Sequence, residues 1–150
     1  MAPQRARHRG GTTTVELAIT CPIAFFLIFA TIVGGMGVFR YQQVAALARE
    51  GARWASVHGS EYALDTGQPA ATALDVFNIV IQPATVSLDP SHLSYAVSWN
   101  SSNEPLSVDE NYEQPYGNTV TVQVNYVWFP EMYLVGPYTL TSTSTAQMLY

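Results

Sequence analysis

The sequence predicts an α+β fold: a long N-terminal transmembrane helix that continues into a small domain with a short helix and a three- to four-stranded antiparallel sheet. Three observations carry that prediction. Residues 17–39 run without a charge, and from residue 84 onward apolar residues recur at alternate positions. The third is charge placement. The 150 residues contain no lysine, the six basic residues are arginines that end at Arg53, and nine of the eleven acidic residues follow. The chain is therefore positive at its start and acidic thereafter. Nucleic-acid binding needs a basic face that displaces counterions, and the acidic domain has none. Charged residues make up only 11% of the chain, against about 25% in ordinary soluble domains. A single cysteine excludes an internal disulfide and any thiolate metal cluster.

The uncharged run comes first. As a helix, 23 residues reach about 35 Å, enough to cross a hydrocarbon core of about 30 Å. A cleavable secretory signal has a shorter apolar region, and no small-residue cleavage site with a polar break follows Gly37. The run therefore reads as a retained membrane span. Arg5, Arg7 and Arg9 precede it, while Arg40, Arg49 and Arg53 follow. The later arginines share their stretch with Glu50 and give way to an acidic domain. This favours a cytoplasmic N-terminus in the cell membrane and an extracytoplasmic C-terminal domain. Pro22 lies inside the span, where a bilayer tolerates it. Gly34, Gly35 and Gly37 form a flexible or closely packing patch near its outer end. Cys21 reads as a small hydrophobe.

Glu16 stands at the edge of this run. It is either an interfacial carboxylate or a group with a partner in the membrane, where an unpaired charge costs about 2.5 kcal/mol or more. Gly11-Thr12-Thr13-Thr14-Val15-Glu16 resembles the processing site of type IV prepilins, where a membrane peptidase cuts after the glycine. That resemblance implies a basic leader over residues 1–11, cleavage between Gly11 and Thr12, and a new α-amine on the mature chain. The Glu16 carboxylate of one subunit would pair with the amine of its neighbour.

Beyond the span, residues 40–57 continue the helix. Val44, Leu47, Ala48, Gly51, Ala52, Trp54 and Ala55 recur at three- and four-residue spacing, and Gly59 marks the stop. The Glu16 block, Pro22 within the apolar run, and Ala48-Arg49-Glu50-Gly51-Ala52-Arg53-Trp54-Ala55 together resemble the TadE-like family. These are pilin-like minor subunits of the Tad/Flp pilus assembly system. The resemblance implies Pro22, Arg49, Glu50, Gly51 and Arg53 as family-motif residues. It also implies a role in pilus assembly, adhesion or secretion, with other pilin-like subunits, the membrane and a prepilin-type peptidase as partners. The competing reading is a signal-anchored binding or adhesin domain unrelated to pili.

The predicted layout is a leader over 1–11, a transmembrane and extended helix over 12–58, and an extracytoplasmic α+β domain over 59–150. Within that domain, residues 60–68 read as a loop. Pro69 can open a helix with Ala70, Leu74, Phe77 and Ile81 on one face, which Pro83 stops. Alternation then predicts strands at 84–88, 93–99, 120–128 and from Tyr138 to about Leu149. Asp89-Pro90 marks a turn.

Chemical sites are scarce. His8, His58 and His92 share no metal-ligand spacing, and neither a phosphate loop nor a nucleophile elbow occurs. No metal, cofactor or catalytic role is expected. Asp109, Asn111 and Glu113 imitate the start of a calcium loop, but Gln114 and Val120 stand where glycine and a bidentate carboxylate belong. A solvated acidic loop is the simpler reading. The apolar stretch Phe129–Pro137 folds over the sheet edge or meets a membrane surface or partner.

Overall fold

A computed structural model describes residues 10–100, 103–104, 106–107, 116–130 and 136–149. Residues 1–9 of the leader, the calcium-like positions 109–114 and residues 131–135 of the apolar stretch lie outside the described residues. The chain divides into two units, Met1–Met36 and Gly37–Tyr150. Helix α1 (Gly10–Ser56) contributes to both.

In the first unit α1 carries its apolar side chains outward. Leu17, Ile23, Phe26, Leu27 and Ile32 are all more than half exposed. The helix has an 18-residue window of mean hydropathy 2.4, none of it buried. Among the described residues of this unit nothing buries that surface, so it is suited to a nonaqueous surrounding. The hydroxyls of Thr20 and Thr31 donate to the carbonyls of Glu16 (2.9 Å) and Leu27 (2.8 Å), four residues back. Such bonds satisfy a hydroxyl where water is absent.

The second unit is an antiparallel sheet covered on one face by helices. Strands β1 (Leu93–Trp99), β4 (Thr119–Trp128) and β5 (Tyr138–Gln147) form the sheet with β4 in the centre. β2 (Leu106–Ser107) and β3 (Tyr116–Gly117) make a separate two-stranded ladder. Alternation sorts the faces. Val120, Val122, Val124, Tyr126 and Trp128 of β4 are buried. The opposite face pairs Thr121 with Thr145 and Asn125 with Thr141 in register, with side-chain bonds of 3.0 and 2.8 Å. β1 and β4 therefore each present one apolar and one polar face, the pattern of a sheet covered on one side, while β5 sets Ser142 and Ser144 beside Val124 and Val122 on the covered face.

Two glycines of α1 set its distance from β4. A Cβ on Gly51 would lie 3.2 Å from Val122 Cγ1, and one on Gly37 would lie 2.8 Å from the Trp128 ring. Fourteen helical residues rise about 21 Å, and the six residues from Val122 to Trp128 span about 20 Å. The helix thus runs antiparallel to β4 and in step with it. Val44, Leu47, Ala48, Ala52 and Ala55 are buried along the same stripe.

Three local expectations are overturned. Residues 60–68 are not a loop: Ser60–Thr66 forms helix α2, closed by Gly67 in the left-handed conformation (φ 70°). Its frame is tertiary. Ser60 N–H donates to Asn103 O (2.7 Å), Ala71 N–H to His58 O (2.8 Å), and the Asn103 amide to Ala71 O (2.9 Å).

The next helix, α3 (Ala73–Ala84), does not open at Pro69. Thr72 caps it through a reciprocal box with Asp75, which satisfies two of the free N–H groups at its start. Nor does Pro83 stop it, since Gln82–Ala84 remains helical. Proline lacks the N–H and crowds the carbonyl four residues back. Just before it, Val76–Ile81 widens into a π-helix, with Gln82 N–H reaching Phe77 O. The wider turn changes the buried face to Val76, Val80 and Ile81, while Leu74 is 58% exposed. Val76 and Ile81, five residues apart, both approach Gly51. Phe77 stacks on Tyr95 with ring centroids 4.5 Å apart.

The strand expected at 84–88 does not form. The helix occupies Ala84, turns follow, and Val86 is 92% exposed while Leu88 is buried. Pro90 and the Asp89 cap then start a 3-10 turn, Pro90–His92. The main sheet accordingly has three strands.

Candidate functional site

The residues singled out by sequence lie along α1. Gly11 and Thr12 are in its first turns, and a Cβ on Gly11 would meet nothing within 4 Å. Glu16 is exposed among Val15, Leu17 and Ile19, each about 61% exposed. An acidic side chain thus sits at the edge of the apolar exposed band, beside Thr13 and Thr14. Pro22 is inside the helix, which continues through it. Its ring removes the N–H that would meet the Ala18 carbonyl, leaving that acceptor for a neighbouring group.

The Arg49–Arg53 block divides by face. Gly51 and Ala52 are buried, whereas Arg49, Glu50 and Arg53 are exposed. Gly51 is required by close approach: β4 stands on one side and the π-turn on the other. The three charged residues sit on the opposite side, available to solvent or to another chain. The block therefore has a packing component and a surface component at adjacent positions.

Sequence reasoning missed an aromatic column at the end of α1. Trp54 and His58 stack with centroids 4.0 Å apart, and Tyr62 of α2 follows at 4.6 Å. The His58 ring nitrogen Nδ1 lies 2.8 Å from Trp54 O. With Pro69, Asp75 and Ile79 these rings line an open cleft of about 440 Å³. The four-residue spacing of 54, 58 and 62 was a usable signal, hidden by reading 60–68 as a loop. Hydrogen bonds from the Thr72 hydroxyl and then its N–H hold the Asp75 carboxyl below its ordinary value. Ser91 does the same for Asp89, through its hydroxyl and then its N–H, with a smaller contribution from His92. Both carboxylates cap helical turns. Among the described residues no cluster of three or more His, Cys, Asp or Glu could hold a metal ion.

Gly37 was a second omission. Of the three span glycines, Gly34 and Gly35 face open space and Gly37 alone meets another element. No local signal distinguishes them, because the contact is made by Trp128, 91 residues away.

Among the described residues one helix is long and apolar enough to cross a membrane, and with the small helix-covered sheet it defines an α+β protein with a candidate N-terminal span. The model of the TadE-like protein family matches residues 11–53. The N-terminal segment of this chain is thus similar to the TadE-like family, the resemblance its residues suggested. The match extends from Gly11 through Glu16 and Pro22 to Arg53. No curated protein and no solved structure matches the chain.

Proposed function

We propose that this protein is a pilin-like, single-pass membrane subunit acting in Tad-type pilus assembly, with adhesion or secretion as its output. The supporting observation is the family match over 11–53, which takes in Glu16 together with the Arg49–Arg53 block. In this reading residues 1–11 are a cytoplasmic leader, 12–58 the transmembrane and extended helix, and 59–150 an extracytoplasmic domain. A prepilin-type peptidase cuts between Gly11 and Thr12. The freed amine of one subunit then meets the Glu16 carboxylate of the next, bringing two charges that are costly alone in hydrocarbon into a pair. The protein acts as a structural, pseudopilin-like component and not as an enzyme.

The exposed apolar band supports assembly because it offers a surface to other helices as well as to lipid. Arg49, Glu50 and Arg53 supply a charged surface for other subunits beyond the bilayer. Intact mass of the membrane-extracted protein tests the processing step. The expected mature chain begins at Thr12; a chain that retains Met1, or one cut beyond the apolar run, refutes it.

A further inference from the structure

The domain has two unlike ends. At one end its loops are tied by polar groups: Leu149 N–H donates to Ser56 O and Met148 N–H to Asn118 O (both 2.8 Å), while the Asn118 amide donates to Glu104 O (2.7 Å). The other end is marked by Trp128 against Gly37. Gly37 belongs to the uncharged run 17–39, so the contact sets Trp128 level with the last turn of that run. Tyr138 pairs with Trp128 across the ladder, with ring centroids 6.4 Å apart. Phe129 is the next residue along, 45% exposed, and its ring lies 5.0 Å from that of His92.

A second segment reaches nearly the same level. The Arg40 guanidinium donates to Ser87 O, and the Gln43 amide donates to the Ser87 hydroxyl. Arg40 is three residues past Gly37, a rise of about 4.5 Å. The adjacent Val86 is almost fully exposed. Among the described residues of Gly37–Tyr150, the exposed Phe and Tyr side chains are Phe39, Tyr41, Phe129 and Tyr138. All four belong to this end. Tyrosine rings, with one polar edge, collect where bilayers meet water, and exposed phenylalanine and aliphatic groups gain there by leaving water.

We propose that this end of the domain is a membrane-docking surface, with Val86, Phe129 and Tyr138 seated in the phospholipid headgroup zone around the emerging helix. The occupant is the lipid bilayer, because the collar is continuous with the apolar run through Gly37. The inference rests on reading residues 17–39 as the span. Docking at two further points would hold the sheet at a fixed height above the lipid, where a single helix would leave it free to swing.

The test uses the full chain with Cys21→Ser, reconstituted in phosphatidylcholine and phosphatidylglycerol vesicles. A nitroxide is attached in turn at Val86→Cys, Phe129→Cys, Ser98→Cys and Ile23→Cys. Accessibility to oxygen and to a water-soluble nickel chelate is then compared by power saturation. Labels at 86 and 129 should show an oxygen-to-nickel ratio several-fold above that at 98, which lies near the opposite end of β1, and below that at 23. Val86→Cys removes little packing, so the test does not depend on Phe129→Cys folding. If residue 23 reports lipid while 86 and 129 report water, docking is refuted and the span survives. Low accessibility to both reagents at 86 and 129 refutes it in favour of a protein partner. Water at residue 23 overturns the span reading and the docking with it.

Discussion

Gly51 and Val122 meet at the centre of the domain, where a Cβ on the helix would stand 3.2 Å from the strand's Cγ1. Val76 Cγ1 lies 3.3 Å away on the other side, so a methyl group there is pinched between two stiff β-branched side chains. Alanine would gain about 1 kcal/mol of helix propensity over glycine. Overpacking costs about 1–3 kcal/mol. The cost prevails, and Gly51→Ala should destabilise the detergent-solubilised protein by about 1 kcal/mol, with Gly51→Leu losing several times as much. Chemical denaturation followed by tryptophan fluorescence measures both. A stabilised Gly51→Ala would show that the helix can retreat from the sheet.

The Thr72–Asp75 box contributes to the acid limb of stability. The native Asp75 value lies below its ordinary 3.8, so the folded state binds this proton less readily than the unfolded chain. The stabilisation is complete above 3.8 and disappears as pH falls through the lowered native value. Thr72→Val removes the hydroxyl, the largest cause of the shift. It should move the Asp75 titration, followed by carboxyl NMR, up towards 3.8 and flatten the pH dependence below it. Loss of the cap should also cost about 1 kcal/mol at neutral pH.

Topology can be read at Leu64, which is 85% exposed on α2. With Cys21→Ser, a Leu64→Cys thiol should react with a membrane-impermeant maleimide in intact spheroplasts. Reaction only after lysis would put the domain in the cytoplasm.

Glu16→Gln separates assembly from anchoring. The substitution removes a charge from the edge of an apolar band, so membrane abundance should hold or rise slightly. Recovery of other pilus subunits by crosslinking should fall, because a neighbour's amine would lose its counter-charge. Undiminished recovery at normal abundance would leave Glu16 without a pairing role and favour a simple anchor.

The large elements were legible because their periods were long and unbroken. The 23 uncharged residues gave the apolar part of α1, and strict alternation at Val120–Trp128 gave β4 with its correct inward face. The errors fall in 60–88, where local signals compete with distant ones. Asp65, Thr66 and Gly67 suggest a turn, yet Gly67 terminates a helix whose start is held by Asn103. Pro83 suggests a stop, yet its effect is to widen the turn ahead of it and exchange Leu74 for Val76 in the core. Alternation over Ala84-Val86-Leu88 is too short to outweigh that helix. Of the site residues, the position of Gly51 in a small-residue stripe was readable, but its two contacts come from 25 and 71 residues away and leave no mark nearby.

The matched rise of α1 and β4 makes the helix a vernier as well as a support. Gly37 and Gly51 are fourteen residues apart, close to four turns, so both face the sheet. Inserting or deleting one residue between them would swing one glycine about 100° around the axis and drive a bulkier neighbour into Trp128 or Val122. Length variation in this stretch is therefore quantised: changes of seven residues keep phase but outrun the strand by about 10 Å. The turn beyond Ser56 keeps a phase of its own, since Trp54, His58 and Tyr62 stack across it.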